Sequence, residues 1–215
     1  MHVITAIKPQ KKKDRVNIYL DDKFSGRARP GSAWGFGIDL ENFVKLGLKV
    51  DQELSDKEIE DIVKKAEFQK TLDKLLKFAT LRLRSEKEIR LWLKRKKVHE
   101  SLHAKLFDRL NHLDLIDDEK FAKWWVEQRQ SFRPKPKRIL AGELRIKGIN
   151  NEIIKKVLGE EKIDEEKMAR ELLGKKAYKW KNLKGFELKQ KMSQYLAQKG
   201  FSWEIVEKVV KLLVE

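Results

Sequence analysis

The stretch Leu140-Ala-Gly-Glu143-Leu144-Arg145-Ile-Lys147-Gly148-Ile149-Asn150 recurs, in altered residues, on both sides of itself. Leu93, Leu144 and Leu196 lie 51 and 52 positions apart. Four residues before them stand Ile89, Leu140 and Met192, and three after stand Lys96, Lys147 and Lys199. Lys97, Gly148 and Gly200 follow, then Val98, Ile149 and Phe201. Nine residues beyond the leucines are Leu102, Ile153 and Ile205; thirteen beyond are Leu106, Val157 and Val209. A period near 50 residues points to a tandem array of one supersecondary unit.

The pattern is readable as structure. The leucine and its neighbour four residues earlier form one apolar stripe of a short helix. The lysine sits in the last turn, where a cation suits the helix dipole. Gly148 and Gly200 take the place just past the helix end, where positive φ is needed. His99, Asn150 and Ser202 then begin the next helix, the last two as good N-caps. A further helix should precede each pair: Glu67–Leu81, Glu119–Arg129 and Glu165–Lys179. Three tandem three-helix units are expected, at 51–116 (with a leading helix), 117–163 and 164–215.

Working outward, Ser55-Asp-Lys-Glu58 and Ser85-Glu-Lys-Glu88 read as capping boxes. Ile59, Ile62, Val63 and Ala66 continue into Leu72, Leu75, Leu76 and Ala79 at helical spacing. Residues 1–50 read differently. Val3, Thr5 and Ile7 alternate with Ile4 and Ala6; Val16, Ile18 and Leu20 alternate with polar neighbours; Phe24 starts a third short run. A hairpin or small meander is expected. The Gly-, Pro- and Ala-rich stretch 26–35 interrupts it and reads as a flexible loop. The fold class is therefore mainly α, in tandem three-helix repeats, with a short N-terminal β-hairpin or meander.

Composition narrows the partners. The 215 residues carry a net charge of +16, with 39% charged and 40% hydrophobic residues. That is too apolar for a disordered polycation and too charged for one deep core. The charge is clustered. Arg82–Lys97 holds eight basic and two acidic residues, Arg129–Lys147 seven and one, Lys175–Lys199 eight and one. Those windows together exceed the charge of the whole chain, so an anionic partner is expected. There is no cysteine, hence no disulfide or thiolate metal site, which suits a reducing cytoplasm. The N-terminal apolar run is too short for a signal-peptide core, and no stretch approaches the roughly 18 apolar residues of a membrane span.

Chemistry finds little support. His99-Glu100-Ser-Leu-His103 matches H-E-x-x-H, but the repeat places His99 at a helix start rather than on the face of His103, and no third ligand follows at the spacing a zinc protease needs. No phosphate-cradling G-x-x-x-x-G-K-[ST] occurs. Asp117-Asp118 and Asp164-Glu165-Glu166 fall where helices begin, so capping explains them. Trp92, Trp124, Trp125 and Trp203 lie in helices and are expected to pack. Trp180, beyond a helix end among cations, is a candidate for stacking on a base or a partner.

The quoted segments carry a family likeness. Arg82-Leu-Arg84-Ser85-Glu-Lys-Glu88-Ile-Arg90-Leu-Trp-Leu93 resembles the signature of RecX regulators, modulators of the RecA recombinase. Leu115-Ile-Asp117-Asp118-Glu-Lys-Phe121-Ala122 looks like their LIDDxxFA segment, Glu143-Leu-Arg-Ile-Lys147-Gly148-Ile149 like their ELxxKGI turn, and Gln198-Lys199-Gly200-Phe201 like their closing xKGF. The likeness runs from about Leu46 to the C-terminus. Residues 26–35 have no counterpart in it, and Lys97 stands where the family usually has Gly. The resemblance implies binding to the RecA–DNA filament within its helical groove, inhibition of ATP hydrolysis and strand exchange, and weak DNA binding. With the motifs weighed above set aside, no cofactor, no metal and no catalytic residue is expected. A monomer in the cytoplasm is expected, with no membrane contact. The face expected to meet filament or DNA carries Arg82, Arg84, Arg95, Lys96, Arg133, Lys137, Arg138, Arg145, Lys147, Lys179, Trp180 and Lys199. The competing class is a stand-alone nucleic-acid-binding helical repeat protein.

Overall fold

The structure is a computed structural model that describes residues 1–10, 14–21 and 35–214. Its chain divides into two compact units: Met1–Leu81 with Val98–Leu110, and Arg82–Lys97 with Asn111–Glu215.

The first unit opens with β1 (His2–Pro9) and β2 (Arg15–Leu20), joined in the sheet by β3 (Gly35–Asp39). Helix α1 (Leu40–Leu46), β4 (Glu53–Leu54) and α2 (Asp56–Thr80) follow. The antiparallel strands lie in the order β3-β2-β1-β4. Period-2 alternation buries Val16, Ile18 and Leu20 on one face of β2, as the pattern predicts. In β1 the buried residue is Ile4, and a register shift between Ile4 and Ala6 then brings Ile7 against the same core. Ile59, Ile62 and Ala66 of α2 cover that face. The two-residue β4 pairs with the start of β1 and is too short to show a period in the sequence. The loop expected at 26–35 lies outside the described residues except for Gly35, which begins β3; the run from Phe24 also lies outside them.

Helix α2 starts at a complete capping box: Ser55 accepts from the Glu58 amide, and the Glu58 carboxylate accepts from the Ser55 amide at 2.8 Å. One 25-residue helix thus covers both the capped segment and the predicted Glu67–Leu81. His2 bonds Asp21 through Nδ1 and Asp56 through Nε2 at 2.8 Å, tying β1 to the end of β2 and the start of α2. Its hydrogen bonds to the Asp21 and Asp56 carboxylates raise its pKa above the ordinary histidine value.

The second unit begins with α3 (Glu86–Arg95); after it come a 3₁₀ turn (Glu100–Leu102) and α4 (His103–His112), both largely in the first unit. Then follow α5 (Asp118–Phe132), α6 (Lys137–Ile146) and α7 (Asn151–Glu160), and α8 (Glu165–Gly174), α9 (Gly185–Gln198) and α10 (Trp203–Val214). Each trio encloses its own core. Phe121, Ala122, Val126, Leu140, Leu144, Ile149 and Val157 form one, and Ala169, Leu173, Met192, Leu196, Phe201 and Val209 form the other. Leu93, Leu144 and Leu196, the residues that define the period, are all fully buried. Among the described residues no strand follows Leu54.

The turns close as the sequence indicates. Gly148 and Gly200 adopt φ of 87° and 89°, and the amides of Ile149 and Phe201 reach back to the carbonyls of Leu144 and Leu196. Helix α8 is a correction to the reading. It stops at Gly174 rather than Lys179, and a separate 3₁₀ turn, Ala177–Trp180, replaces its last turn.

Candidate functional site

All twelve residues of the expected cationic face lie in the second unit, and their local chemistry sorts them into groups.

The first group surrounds one carboxylate. Glu88, on α3, accepts two parallel bonds from the Arg82 guanidinium at 3.0 Å and a third from Lys147 Nζ at 2.7 Å. Arg84 stands 4.0 Å away with its side chain only 12% exposed. Burial pushes the Glu88 carboxyl up, but the bonds and charges of Arg82 and Lys147 outweigh it and hold it below the usual glutamate value. Burial lowers the Arg84 pKa, the neighbouring Arg82 charge adds to this, and Glu88 opposes both. Trp125 lies beside the group, with Lys147 Nζ 4.8 Å and the Arg129 guanidinium 4.6 Å from its ring centre. Its indole N–H and Arg129 Nε both donate to Glu143 at 2.8 Å. Three of the twelve residues therefore meet at Glu88, whose single negative charge offsets part of theirs.

Sequence reasoning missed Glu88, Glu143 and Arg129. Glu88 is read from sequence as the second half of a capping box. Ser85 does accept from the Glu88 amide, but the carboxylate turns to Arg82 and Lys147, because charged donors are stronger partners than a backbone N–H. Ser85 Oγ, fully buried, instead donates to the Lys147 carbonyl at 2.8 Å. The few acids inside the basic windows, Glu86 and Glu88 in the first and Glu143 in the second, were the available signal.

Arg95, Lys96, Arg133 and Arg138 are exposed, and Arg145 bonds Asn151 at 2.9 Å. The Lys137 amide donates to Glu165 at 3.0 Å, leaving its ammonium free of ion pairs among the described residues. Lys179 and Lys199 lie over the rings of Tyr178 and Tyr195 at 5.9 and 5.5 Å. Trp180 is placed differently from the other candidates. Its ring packs edge-on against Tyr195, 5.6 Å between centres, on the core of the last three helices. Trp203, expected to pack, is largely exposed.

The structure also places the candidate metal motif. His99 caps the 3₁₀ turn, its Nδ1 accepting from the Ser101 amide, while His103 Nε2 lies 3.1 Å from the Val98 carbonyl. The His103 Nε2 is thus a donor and cannot also offer a lone pair to a metal.

One geometric rule joins successive units within this half of the molecule. The start of α3 docks on the turn after α6: Lys87 covers Gly148, and the Glu86 amide donates to Asp118 at 2.9 Å. The start of α6 repeats this on the turn after α9: Ile139 covers Gly200, and the Lys137 amide donates to Glu165. Both contacts span 61 residues.

Such a fold, with helical units docked in tandem and basic segments recurring along the chain, defines a helical-repeat protein. Models of the RecX regulators match it: the N-terminal domain over residues 2–55, the second three-helix domain over 117–158 and the third over 164–210. The regulatory protein RecX of Bacillus subtilis is 34% identical over 96% of this chain and 75% of its own length. That of Clostridium acetobutylicum is 29% identical over 98% and 95%. A crystal structure of regulatory protein RecX superposes with a TM-score of 0.73 at 27% identity, covering 97% of this chain and 98% of that one. RecX from Lactobacillus salivarius gives 0.62 at 25% identity, over 68% and 96%. The chain belongs to the RecX family of regulatory proteins. Among the described residues, no helix is long and apolar enough to cross a membrane.

Proposed function

We propose that this chain is a cytoplasmic, monomeric, non-enzymatic regulator of homologous recombination and repair. It binds a RecA-type recombinase filament on DNA and inhibits ATP turnover and strand exchange. DNA itself is met weakly or through the filament. The units are the three-helix groups 51–116, 117–163 and 164–215, and the contact residues are the twelve cationic-face residues named above. Family membership supports a regulatory role. The observation that carries the finer reading is the repeated 61-residue docking contact. The same docking contact at two successive turns supports a reading in which the basic segments recur regularly along the array, as would suit a polymer with repeating anionic sites. Several weak contacts then act as one strong attachment, and a binder spanning neighbouring subunits would hinder the movements that accompany ATP turnover.

The test is recombinase ATPase activity on single-stranded DNA, titrated with this protein. A graded loss of activity, with tighter retention on coated than on bare DNA at equal moderate salt, is expected. Unchanged ATPase activity together with preference for bare DNA would leave the stand-alone nucleic-acid-binding protein as the better account.

A further inference from the structure

The three basic windows are not equivalent in the folded chain. In Arg82–Lys97, Arg82, Arg84 and Arg90 face Glu88 or Glu86. In Arg129–Lys147, Arg129 faces Glu143 and Lys147 faces Glu88. The segment Lys175–Lys191 holds seven lysines and one glutamate. Among the described residues none of those seven makes an ion pair. Two rings stand out from the same segment: Tyr178 is 61% and Phe186 79% exposed.

The backbone explains the display. Helix α8 ends at Gly174 and the 3₁₀ turn takes over. Lys179 N bonds the Lys176 carbonyl and Leu183 N the Trp180 carbonyl, fixing the turn from within. Trp180 is its anchor, packed inward on Tyr195. That orientation leaves Tyr178, two residues earlier, outward. Phe186 stands at the start of α9, just past the short loop that follows the turn.

We propose that Lys175–Lys191 is a binding site for single-stranded nucleic acid, in which Tyr178 and Phe186 stack on unpaired bases and the lysines hold the flanking phosphates. Unpaired cations alone would suit any polyanion. Cations interleaved with exposed rings suit a strand whose bases are free to leave their own stack. A duplex keeps its bases stacked and offers such rings nothing. An acidic protein surface would satisfy the lysines but not two separate rings. The proposal deepens the reading of the cationic face as nucleoprotein-facing and rests on it, but the two can fail separately.

The experiment uses the full chain and fluorescence anisotropy with a labelled oligo-dT, a duplex of equal length, an abasic strand of equal length, and poly-glutamate. Oligo-dT should bind more tightly than the duplex or the abasic strand. The double variant Tyr178→Ala/Phe186→Ala, which removes only exposed rings and whose folding is checked by its thermal melt, should lose about tenfold in oligo-dT affinity per ring. Its affinity for the abasic strand should not change. Equal binding of oligo-dT and abasic strand, or an unaltered oligo-dT affinity in the variant, would overturn the proposal. A loss toward poly-glutamate matching the loss toward oligo-dT would reassign the site to an acidic protein and overturn it too. If instead these results hold while recombinase ATPase activity stays unaffected by the protein, only the filament reading fails.

Discussion

At the scale of single residues, Glu88 organises the cationic surface. Its side chain is 13% exposed and meets Arg82, Arg84 and Lys147. Glu88→Gln keeps the shape but leaves three cations facing one another with a neutral acceptor. The variant should lose about 2 kcal/mol of stability at pH 7, read from the chemical denaturation midpoint. The pH dependence follows from the lowered carboxyl. The folded chain binds this proton less readily than the unfolded one, whose carboxyl titrates near 4.5. The stabilisation is therefore full above about 4.5 and is lost as pH falls through the folded value. The gap between wild type and variant should close over that range. A gap that does not narrow at all as the pH falls below 4.5 would assign the loss to packing rather than to charge. None of this was legible in the sequence, because Lys147 stands 59 positions from Glu88 and only the fold brings them together. The buried leucines were legible, since a helix stripe is a local property of spacing.

At the scale of elements, the turn after each middle helix is where sequence and structure say different things about one residue. The period marks Gly148 and Gly200 as helix ends, and their φ values agree. What the period cannot show is that they are also docking points. A Cβ on Gly200 would lie 2.4 Å from Ile139 Cδ1 and Cγ1, and one on Gly148 would lie 2.6 Å from Lys87 Cβ. Lys97 holds the same place in the first copy at φ 54°. Its side chain is exposed, so it is accommodated there at the cost of left-handed strain. Opposite signs are expected. Gly200→Ala should destabilise by about 2 kcal/mol, from strain and overlap together. Lys97→Gly should stabilise by up to about 1 kcal/mol, the relieved strain being partly offset by a freer unfolded chain. Urea unfolding of both variants checks this, and equal shifts of the same sign would remove the docking role. Two other elements escaped the sequence for related reasons. The two-residue β4 is too short for a period, and the break between α8 and its 3₁₀ turn follows no proline. That break is why Trp180 faces inward and Tyr178 outward, contrary to the simple view of a tryptophan among lysines as the stacking ring.

At the scale of the whole molecule, net charge is a poor guide to how many cations are available. The +16 of the sequence is distributed so that the windows at Arg82–Lys97 and Arg129–Lys147 are partly neutralised from within, while Lys175–Lys191 is not. Binding to a single strand releases about 0.7 counterion per phosphate neutralised. If all seven unpaired lysines of that segment engage, the slope of log affinity against log salt should be about −5. Replacing Lys179 and Lys181 by Gln should reduce its magnitude by about 1.4. Replacing Arg90, which already faces Glu86 at 2.5 Å, should leave the slope unchanged even though the formal charge falls equally per residue. Salt titrations of oligo-dT affinity for the three proteins separate the two cases. Should Arg90→Gln flatten the slope as much per charge as the lysine replacements do, ion pairing inside the fold would not govern which cations meet the phosphates, and formal charge alone would be the right predictor.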